Sequence, residues 1–380
     1  MNTLIWVSSA RYTDPLDATA SAKWKLLHKK LNREIIVVSF SADGKAHEFT
    51  QHVRFVLIPS ARWSLLRYLI MLVMMPLTLI RLVRKSEGAT LIAQSPFEGA
   101  FGALIRQLFP KKTCLIIENH NNFEEDVFLQ RRIPFAPVGK WLLKRVASFA
   151  FRYADAVRVI STSTHERALA YAPHTPQVRF MTWTNTDAFA SQTRTIPLSE
   201  CHDIVYAGVL IPRKGVHLLL EAFAKLNHPQ ARLVLVGAPE NADYTASLHT
   251  LAASLQITER VIFDGAVAQE KLAQRFAAAR VMVLPSLSEG LGRVIVEAMW
   301  MGTPVIGSRV GGIPDLITDD ENGYLIEVDS VSSLLEALQK VFTHPNYEQM
   351  GANAREFALN FFSPEIYAQG YIDLVRLAEG

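Results

Sequence analysis

The chain alternates short apolar segments, rich in β-branched residues, with longer segments of helical periodicity, and this alternation repeats along nearly its whole length. Neighbouring parallel strands need a crossover of a dozen or more residues, which this spacing supplies. Such crossovers are right-handed, and ligands bind beyond the carboxyl ends of the strands in open sheets of this kind. The sequence therefore predicts an α/β protein with parallel sheets.

The length of 380 residues predicts two domains, because single hydrophobic cores stop growing near about 250–300 residues. The polar stretch Asn185–His202 has no sustained periodicity and is predicted to be a linker. We therefore predict a first domain over 1–190 and a second over 191–363. The amphipathic segment 364–380 follows a break at Pro364 and is expected to pack back on the first domain.

The periodicities give the following element ranges. Predicted strands are Thr3–Val7, Glu34–Phe40, Val53–Leu57, Ala89–Ala93, Thr113–Glu118, Ala156–Ile160, Gln177–Met181, Asp203–Ala207, Arg232–Val236, Val261–Asp264, Val281–Pro285, Thr303–Gly307 and Gly323–Ile326. Predicted helices are Thr19–Leu31, Trp63–Lys85, Phe97–Phe109, Gly139–Tyr153, Ser163–Tyr171, Val216–Lys225, Ala242–Leu255, Glu270–Ala278, Gly292–Met301, Ser330–Phe342 and Pro364–Leu377.

The composition, 49% hydrophobic and 20% charged, is that of a globular protein and not of a disordered chain. Cys114 and Cys201 have neither metal-binding nor redox spacing, so two free thiols in a reducing compartment are expected. Met1–Trp6 lacks the basic segment that begins a secretory signal. A cytoplasmic location is the resulting expectation.

The net charge of +3 conceals two oppositely charged halves. Residues 1–190 hold 25 basic and 14 acidic residues, a net of +11, whereas residues 191–380 hold 14 and 22, a net of −8. The basic half is expected to meet an anionic surface or ligand. Nucleic acid is not the expected partner, because no stacking aromatic signature or recognition module accompanies the charge.

Two apolar segments of the basic half bear on membrane contact. Tyr68–Ile80 has 13 residues between Arg67 and Arg81, is interrupted by Pro76 and is short of the roughly 20 that span a bilayer. It is either a buried helix or one whose apolar side enters a membrane surface. Lys140–Tyr153 is a second basic amphipathic segment. The pair suits a protein peripheral to the inner face of the cytoplasmic membrane, and the alternative is two core helices with exposed basic edges.

The densest chemical signal is SLSEGLGRVIVEAMWMGTPVIGSRVGGIPDLI, residues 286–317. A strand that ends at Pro285 leads into a glycine-containing loop and then a helix, so free backbone N–H groups are expected where an anion would bind. Gly290 and Gly292 allow a phosphate to approach the backbone closely. Glu289 and Glu297, eight residues apart, are placed to reach a sugar and a ribose respectively.

The segment SEGLGRVIVEAM resembles the Glu-x7-Glu motif of family 4 retaining glycosyltransferases, which have the GT-B fold of two Rossmann-like parallel-sheet domains facing across a cleft. The resemblance covers 203–345, through YAGVLIPRKGVHLLLEAFAKL, RLVLVGA, VIFDGAV and MGTPVIGSRVGGIPDLITDDENGYLIE. The first half is similar only at residues 118–128, 154–168 and 185–189. The resemblance to the family implies a first domain that binds the acceptor and a second domain that binds the nucleotide-sugar donor.

The resemblance also implies roles for single residues. Arg213 and Lys214 would stabilise the departing diphosphate, a task done with basic side chains and a helix N-terminus and without a metal. Glu289 would bind sugar hydroxyls, and Glu297 would bind the ribose. His120 would lie near the reaction centre. The implied donor site comprises Gly208, Arg213, Lys214, Gly237, Val267, Glu289, Gly290, Leu291, Gly292 and Glu297, and the implied catalytic set comprises His120, Glu289, Lys214 and Arg213.

The chain departs from the family at one position. Gly208–Val209 stand where many relatives have Gly-Arg, so one cationic contact to the diphosphate is missing. Two alternatives are open: Arg213 replaces this contact, or no residue does. No cofactor or metal is expected beyond a UDP- or GDP-sugar substrate. The acidic runs Glu124–Asp126 and Asp319–Glu321 lack the Asp-x-Asp form of metal-dependent transferases and are predicted to be solvated loops.

The prediction is a retaining glycosyltransferase that transfers a sugar to a hydroxyl of a glycan or lipid-linked acceptor in cell-surface polysaccharide or glycolipid synthesis, by front-side attack. Two alternatives remain. One is a nucleotide-sugar-binding protein with a decayed donor site, which the Val209 departure favours. The other is a nucleotide-sugar epimerase of the same fold, which would need more proton-transfer groups than His120.

Overall fold

The computed structural model describes residues 2–61, 63–120, 123, 136–183 and 187–380. The chain forms two compact units, of which the first comprises Met1–Asn185 and Pro364–Gly380 and the second comprises Thr186–Ser363. The boundary between them thus lies a few residues before the one drawn from the sequence. The acidic run 124–126 lies outside the described part of the chain, as do most of the loosely matching segment 118–128 and residues 185 and 186 of the segment 185–189.

Unit 1 is built on an eight-stranded sheet with the order β3-β4-β2-β1-β5-β6-β7-β8. Only β3 runs antiparallel to its neighbour, β4, among the described strands. The strands are β1 (Thr3–Tyr12), β2 (Ile35–Ser41), β3 (His47–Gln51), β4 (Val53–Ile58), β5 (Ala89–Ala93), β6 (Thr113–Asn119), β7 (Ala156–Val159) and β8 (Gln177–Arg179).

Helices cover both faces of this sheet, which explains why central strands such as β2 and β5 are buried along their whole length. One face packs against α2 (Ser64–Lys85), α3 (Pro96–Leu108), α4 (Ala136–Arg152) and α5 (Thr162–Tyr171), and the other against α1 (Ala18–Leu31) and α13 (Pro364–Glu379). Side chains of Asp17, Ser95 and Ser161 accept backbone hydrogen bonds at the starts of α1, α3 and α5. These caps fix where the chain turns from strand to helix.

Helix α2 is longer than the apolar segment suggested by the sequence, with 22 residues and Pro76 inside it. Its inward side chains, Met71, Met75 and Leu79, lie in the core, whereas Leu72 and Leu77 are about 60% exposed, at 60% and 59%. The stretch Leu66–Lys85 is long and apolar enough to cross a membrane, and a third of it is buried within the protein. The helix is therefore a core helix on one side and carries an exposed apolar face on the other.

Unit 2 has a six-stranded parallel sheet with the order β11-β10-β9-β12-β13-β14. Renumbered from its first strand this is 3-2-1-4-5-6, the Rossmann order. The strands are β9 (Asp203–Ala207), β10 (Arg232–Val236), β11 (Val261–Gly265), β12 (Ala279–Leu284), β13 (Val305–Ser308) and β14 (Gly323–Ile326). The helices are α6 (Asp187–Ala190), α7 (Val216–Lys225), α8 (Ala242–Ser254), α9 (Gln269–Ala277), α10 (Arg293–Trp300), α11 (Val331–Thr343) and α12 (Tyr347–Phe361).

The predicted parallel α/β sheets are confirmed, but several elements differ from the sequence-based ranges. Strand β1 continues five residues past its predicted end at Val7, to Tyr12. Strand β3 and helix α12 were not predicted, and the predicted linker contains the short helix α6. Strand β3 is a polar edge strand that alternates between exposed and half-buried residues, so it has no apolar run to reveal it.

The last helix of the chain, α13, closes the sheet face that α1 also covers. Tyr371 and Leu374 are fully buried there, in a core with Trp6 and Trp24. Gly370 faces the ring of Phe180, which a Cβ at that position would overlap. The chain thus returns to unit 1 after completing unit 2, and glycine permits the close contact.

We expect Gly370→Ala to lower the thermal stability of unit 1. In an ordinary helix interior this change stabilises by about 1 kcal/mol, but overpacking against Phe180 costs about 1–3 kcal/mol. A net fall in the melting temperature of a few degrees, measured by circular dichroism, is the expected result. The control Gln369→Ala alters an exposed neighbour and should leave the melting temperature nearly unchanged. An increase for Gly370→Ala would contradict this packing.

Candidate functional site

The candidate site of unit 2 lies where the strand order reverses. β9 and β12 are neighbours in the sheet, but their crossovers lead in opposite directions, which opens a crevice beyond their carboxyl ends. The loop after β9 carries Arg213 and Lys214, and the loop after β12 carries Glu289. Residues that are 75 positions apart in the chain therefore meet at one point.

Backbone contacts hold these two loops together. The backbone N–H of Leu287 donates to the carbonyl oxygen of Arg213 at 2.8 Å, and Arg213 Nη1 donates to the carbonyl oxygen of Ser288 at 2.8 Å. Gly215 has φ of 67°, and a Cβ there would overlap the carbonyl oxygen of Pro285. The approach is so close that only glycine fits, so the loop positions are set by the backbone.

Lys214 and Glu289 form an ion pair in the crevice, with Lys214 Nζ donating to Glu289 Oε2. The two side chains are only 13% and 14% exposed. Ser286 Oγ donates to the same carboxylate oxygen at 3.3 Å. The structure thus brings together two predicted catalytic residues, and it adds Ser286, a fully buried residue that sequence reasoning did not select.

Helix α10 begins beside this ion pair. Its N-cap is Gly292, with φ of 81°, and since glycine has no side chain it supplies no capping hydrogen bond to the first turn. Gly312 N–H donates to the carbonyl oxygen of Gly290 at 2.9 Å, and a Cβ on Gly311 would overlap the carbonyl oxygen of Glu289. The glycine turn Gly311–Gly312 therefore packs directly on the Glu289 loop.

The other predicted donor residues flank the same strand ends. A Cβ on Gly237, after β10, would overlap the carbonyl oxygen of Gly208, after β9. The carbonyl oxygen of Val209 accepts a hydrogen bond from Tyr206 Oη at 2.9 Å, so this loop is fixed although Val209 brings no charge. Val267 follows β11, and Leu291 is buried.

Glu297 lies on α10, one turn beyond Arg293. Burial raises the pKa of the Glu297 carboxyl, and the charge of Arg293 acts in the opposite direction. The side chain is half-buried. A carboxyl in such a position can accept hydrogen bonds from ligand hydroxyls.

His120 belongs to unit 1 and follows β6 at the carboxyl edge of that sheet. His120 Nε2 lies 2.8 Å from Oε2 of Glu118, whose side chain is buried. Glu118 is in turn paired with the buried Arg158 of β7, at 3.2 Å. Sequence reasoning missed this pair, and the signal was available: an arginine within the buried strand segment AVRV needs an internal partner.

The acidic run Asp319–Glu321 is part of a loop held by hydrogen bonds. Asp319 accepts from Arg309 Nη2 at 2.9 Å and from the backbone N–H of Leu325 at 2.7 Å. Within the described residues, no group of three or more histidine, cysteine or acidic side chains is arranged to hold a metal ion. The run serves the local loop structure.

The chain is similar to known proteins both in sequence and in structure. In sequence, the chain is 37% identical over 166 residues to a D-inositol 3-phosphate glycosyltransferase of Streptomyces griseus, covering 41% of this chain and 35% of that protein. It is 28% identical over 242 residues to a GDP-mannose-dependent alpha-(1-6)-phosphatidylinositol monomannoside mannosyltransferase of Mycolicibacterium smegmatis, covering 59% and 62%. The chain thus spans less than two thirds of either relative.

In structure, the chain is similar to sucrose-phosphate synthase of Thermosynechococcus elongatus, with a TM-score of 0.77, 22% identity and coverage of 99% and 98% of the two chains. It is also similar to HepE of Anabaena in complex with UDP, with a TM-score of 0.76, 20% identity and coverage of 99% and 100%. The predicted fold class, two parallel-sheet α/β domains of the GT-B type, is confirmed. Residues 197–357, which lie within unit 2, match the family described as Glycosyl transferases group 1.

Proposed function

We propose that the chain is a retaining glycosyltransferase that transfers a sugar from a UDP- or GDP-sugar to a hydroxyl of a glycan or lipid-linked acceptor. The observation that carries the proposal is the ion pair between Lys214 and Glu289. This pair lies where the strand order of the unit 2 sheet reverses, beside the start of α10, which has no side-chain cap. A cation, a carboxylate and a helix N-terminus in one crevice suit a ligand that combines a diphosphate with sugar hydroxyls.

The proposed chemistry assigns each of these groups a task. Breaking the anomeric bond adds one negative charge to the two that the diphosphate of the donor already carries, and Lys214, Arg213 and the α10 N-terminus stabilise this developing charge. Glu289 accepts hydrogen bonds from hydroxyls of the transferred sugar, and Glu297 accepts from the ribose. In front-side attack, the departing phosphate oxygen takes the acceptor proton, so the protein itself needs no strong base there.

The named relatives support this assignment by analogy. One has a name that specifies a GDP-mannose donor and a phosphatidylinositol-based acceptor, and one similar structure is a complex with UDP. The decayed-site alternative predicts lost donor contacts, yet Lys214, Glu289 and Arg213 are all present and interacting. The epimerase alternative gains no support from the crevice of unit 2, since Glu289 is already paired there.

We expect one nucleotide among UDP, GDP and ADP, and its sugar conjugate, to raise the thermal stability of the protein. A ligand at 100 times its dissociation constant stabilises by about 2.7 kcal/mol. Lys214→Ala should abolish most of this shift, because it removes the cation of the crevice. Lys225→Ala is a matched control, since Lys225 is exposed at the opposite end of α7. A shift that survives in Lys214→Ala, or no shift with any nucleotide, would contradict the proposed donor site.

The product of transfer should keep the anomeric configuration of the donor. Front-side attack replaces the diphosphate on the face it leaves, whereas in-line displacement would invert the centre. Proton NMR of the anomeric signal, recorded early in turnover with a model hydroxyl acceptor, distinguishes the two. A product of inverted anomeric configuration would contradict the proposed retaining reaction.

The outward surface of unit 1 supports the lipid-linked form of the acceptor. Three helices on one face of the sheet present apolar side chains to the exterior. These are Leu66, Leu69, Leu72, Val73 and Leu77 of α2, Leu104 and Leu108 of α3, and Val138, Trp141 and Leu142 of α4. We name these ten residues the apolar face. Clusters of exposed apolar side chains mark sites of contact with other proteins or with membranes.

The charges around the apolar face favour an anionic lipid surface as its partner. Helices α2 and α4 contain eight arginine and lysine residues, with no acidic residue in either sequence. Membrane crossing by α2 is disfavoured because it would remove Met75 and Leu79 from the core. Insertion of the apolar face among headgroups, with the basic residues at the phosphates, requires no rearrangement.

We expect the protein to sediment with vesicles that contain phosphatidylglycerol and far less with vesicles of phosphatidylcholine alone. Replacing Leu69, Leu72 and Val73 together by Asn should lower vesicle binding at least tenfold, because each apolar side chain contributes about 1.5–3 kcal/mol when fully buried. Leu377→Asn alters a comparably exposed leucine on α13 and should have no effect. Equal binding of the triple variant and the wild type would contradict membrane docking by this face.

A further inference from the structure

A buried polar cluster lies directly behind His120 in unit 1. Its members are Glu118 of β6, Arg158 of β7 and Tyr371 of α13, and all three side chains are essentially inaccessible to solvent. Burying a charged pair costs desolvation energy that apolar residues of similar size would avoid. Stability alone therefore does not explain this cluster, and a functional role would.

Glu118 is bound through both of its carboxylate oxygens. Oε1 accepts from Arg158 Nη1 at 3.2 Å and from Tyr371 Oη, and Oε2 lies 2.8 Å from His120 Nε2. Arg158 is itself fixed, since its Nη2 donates to the carbonyl oxygen of Met181 at 2.6 Å and its guanidinium lies 4.2 Å from the Phe180 ring centre. The carboxylate cannot rotate without breaking several of these contacts.

The ionisation state of Glu118 follows from its surroundings. Burial alone would raise its pKa, but the charge of Arg158 and the hydrogen bonds from His120 and Tyr371 outweigh burial and hold the pKa of Glu118 well below its usual value. An ionised carboxylate only accepts hydrogen bonds. The proton of a neutral His120 ring must therefore reside on Nε2.

We propose that Glu118 is a positioning residue that holds His120 in the Nε2-protonated tautomer, leaving Nδ1 as an acceptor toward the ligand, and that helix α13 secures Glu118 through Tyr371. The inference rests on the proposed function in that His120 is taken as the residue near the reaction centre. His120 is 28% exposed, so its ring is accessible while its orientation is fixed from behind.

The decisive variant is Glu118→Gln. Arg158 and Tyr371 both donate, so they will take the amide oxygen of the new glutamine and leave its NH2 group facing His120. Nε2 then becomes the acceptor, and the proton moves to Nδ1. Nitrogen-15 NMR of the full-length, histidine-labelled protein distinguishes the two tautomers, and His120→Gln identifies the His120 signals among the 11 histidines.

Tyr371→Phe tests the contribution of α13 and keeps the ring that packs in the core. Its matched control is Tyr367→Phe on the same helix, whose ring also lies near Arg158, at 5.5 Å, but whose hydroxyl is not a donor to Glu118 in the structure. We expect Tyr371→Phe to give a mixture of tautomers and Tyr367→Phe to behave as the wild type. If Glu118→Gln fails to fold, this pair carries the test.

In activity assays, Glu118→Gln should lower kcat at least tenfold and change KM less than threefold, because the donor contacts of unit 2 are untouched. Retention of the Nε2-protonated tautomer in Glu118→Gln, or identical spectra for Tyr371→Phe and Tyr367→Phe, would overturn the positioning role. Failure of the proposed function would instead appear as absent turnover and absent nucleotide binding in the wild type. The NMR readout is independent of both.

Discussion

The reversal of strand order between β9 and β12 is the constraint on which the proposed donor site depends. Two crossovers that leave adjacent parallel strands in opposite directions cannot fill the space between them. The loops at this opening pack backbone to backbone, at Gly215 against Pro285 and at Gly311 against Glu289. Lys214 and Glu289 are therefore carried on loops that leave little freedom, which is the condition for a preorganised site.

The Lys214–Glu289 pair gives the proposed site a defined resting state. Neither side chain is more than 14% exposed, so the removal of either partner would leave a poorly solvated charge. A bound diphosphate offers Lys214 a more highly charged partner than a single carboxylate. Glu289 would then be released to accept hydroxyl hydrogen bonds, so that binding exchanges one set of contacts for another.

Local patterns were sufficient to predict most of the fold from the sequence. The alternation of apolar segments and helical periodicity predicted β5 to the residue and most other elements to within one or two residues. Strand β3 escaped because HEFTQ has no apolar run, and α12 because its buried face relies on small residues such as Gly351, Ala354 and Ala358. In both cases tertiary packing decided the structure and local propensity did not.

The candidate site could likewise be predicted only in part from the sequence. Glycine positions and Glu289 were visible in one continuous segment, whereas the cluster behind His120 was not. Glu118 contacts Arg158 across 40 positions and Tyr371 across 253, and no local periodicity reports contacts of that span. What the sequence does contain is the anomaly itself, a charged residue in each of two buried strands. Two unpaired charges in one core are untenable, so an acid in β6 and a base in β7 could have been paired in advance.

Helix α2 of unit 1 has two apolar faces in different environments, one in the core and one at the surface. Packing α2 against the sheet uses one of its faces, with Met75 and Leu79 fully buried. A helix face that meets water is normally polar. The outer face of α2 is instead apolar and lies among basic residues. A helix required solely for the core would gain nothing from this outward composition. The proposed contact with a lipid surface would account for the apolar outer face, and the core contacts would keep α2 on that surface and prevent it from crossing the membrane.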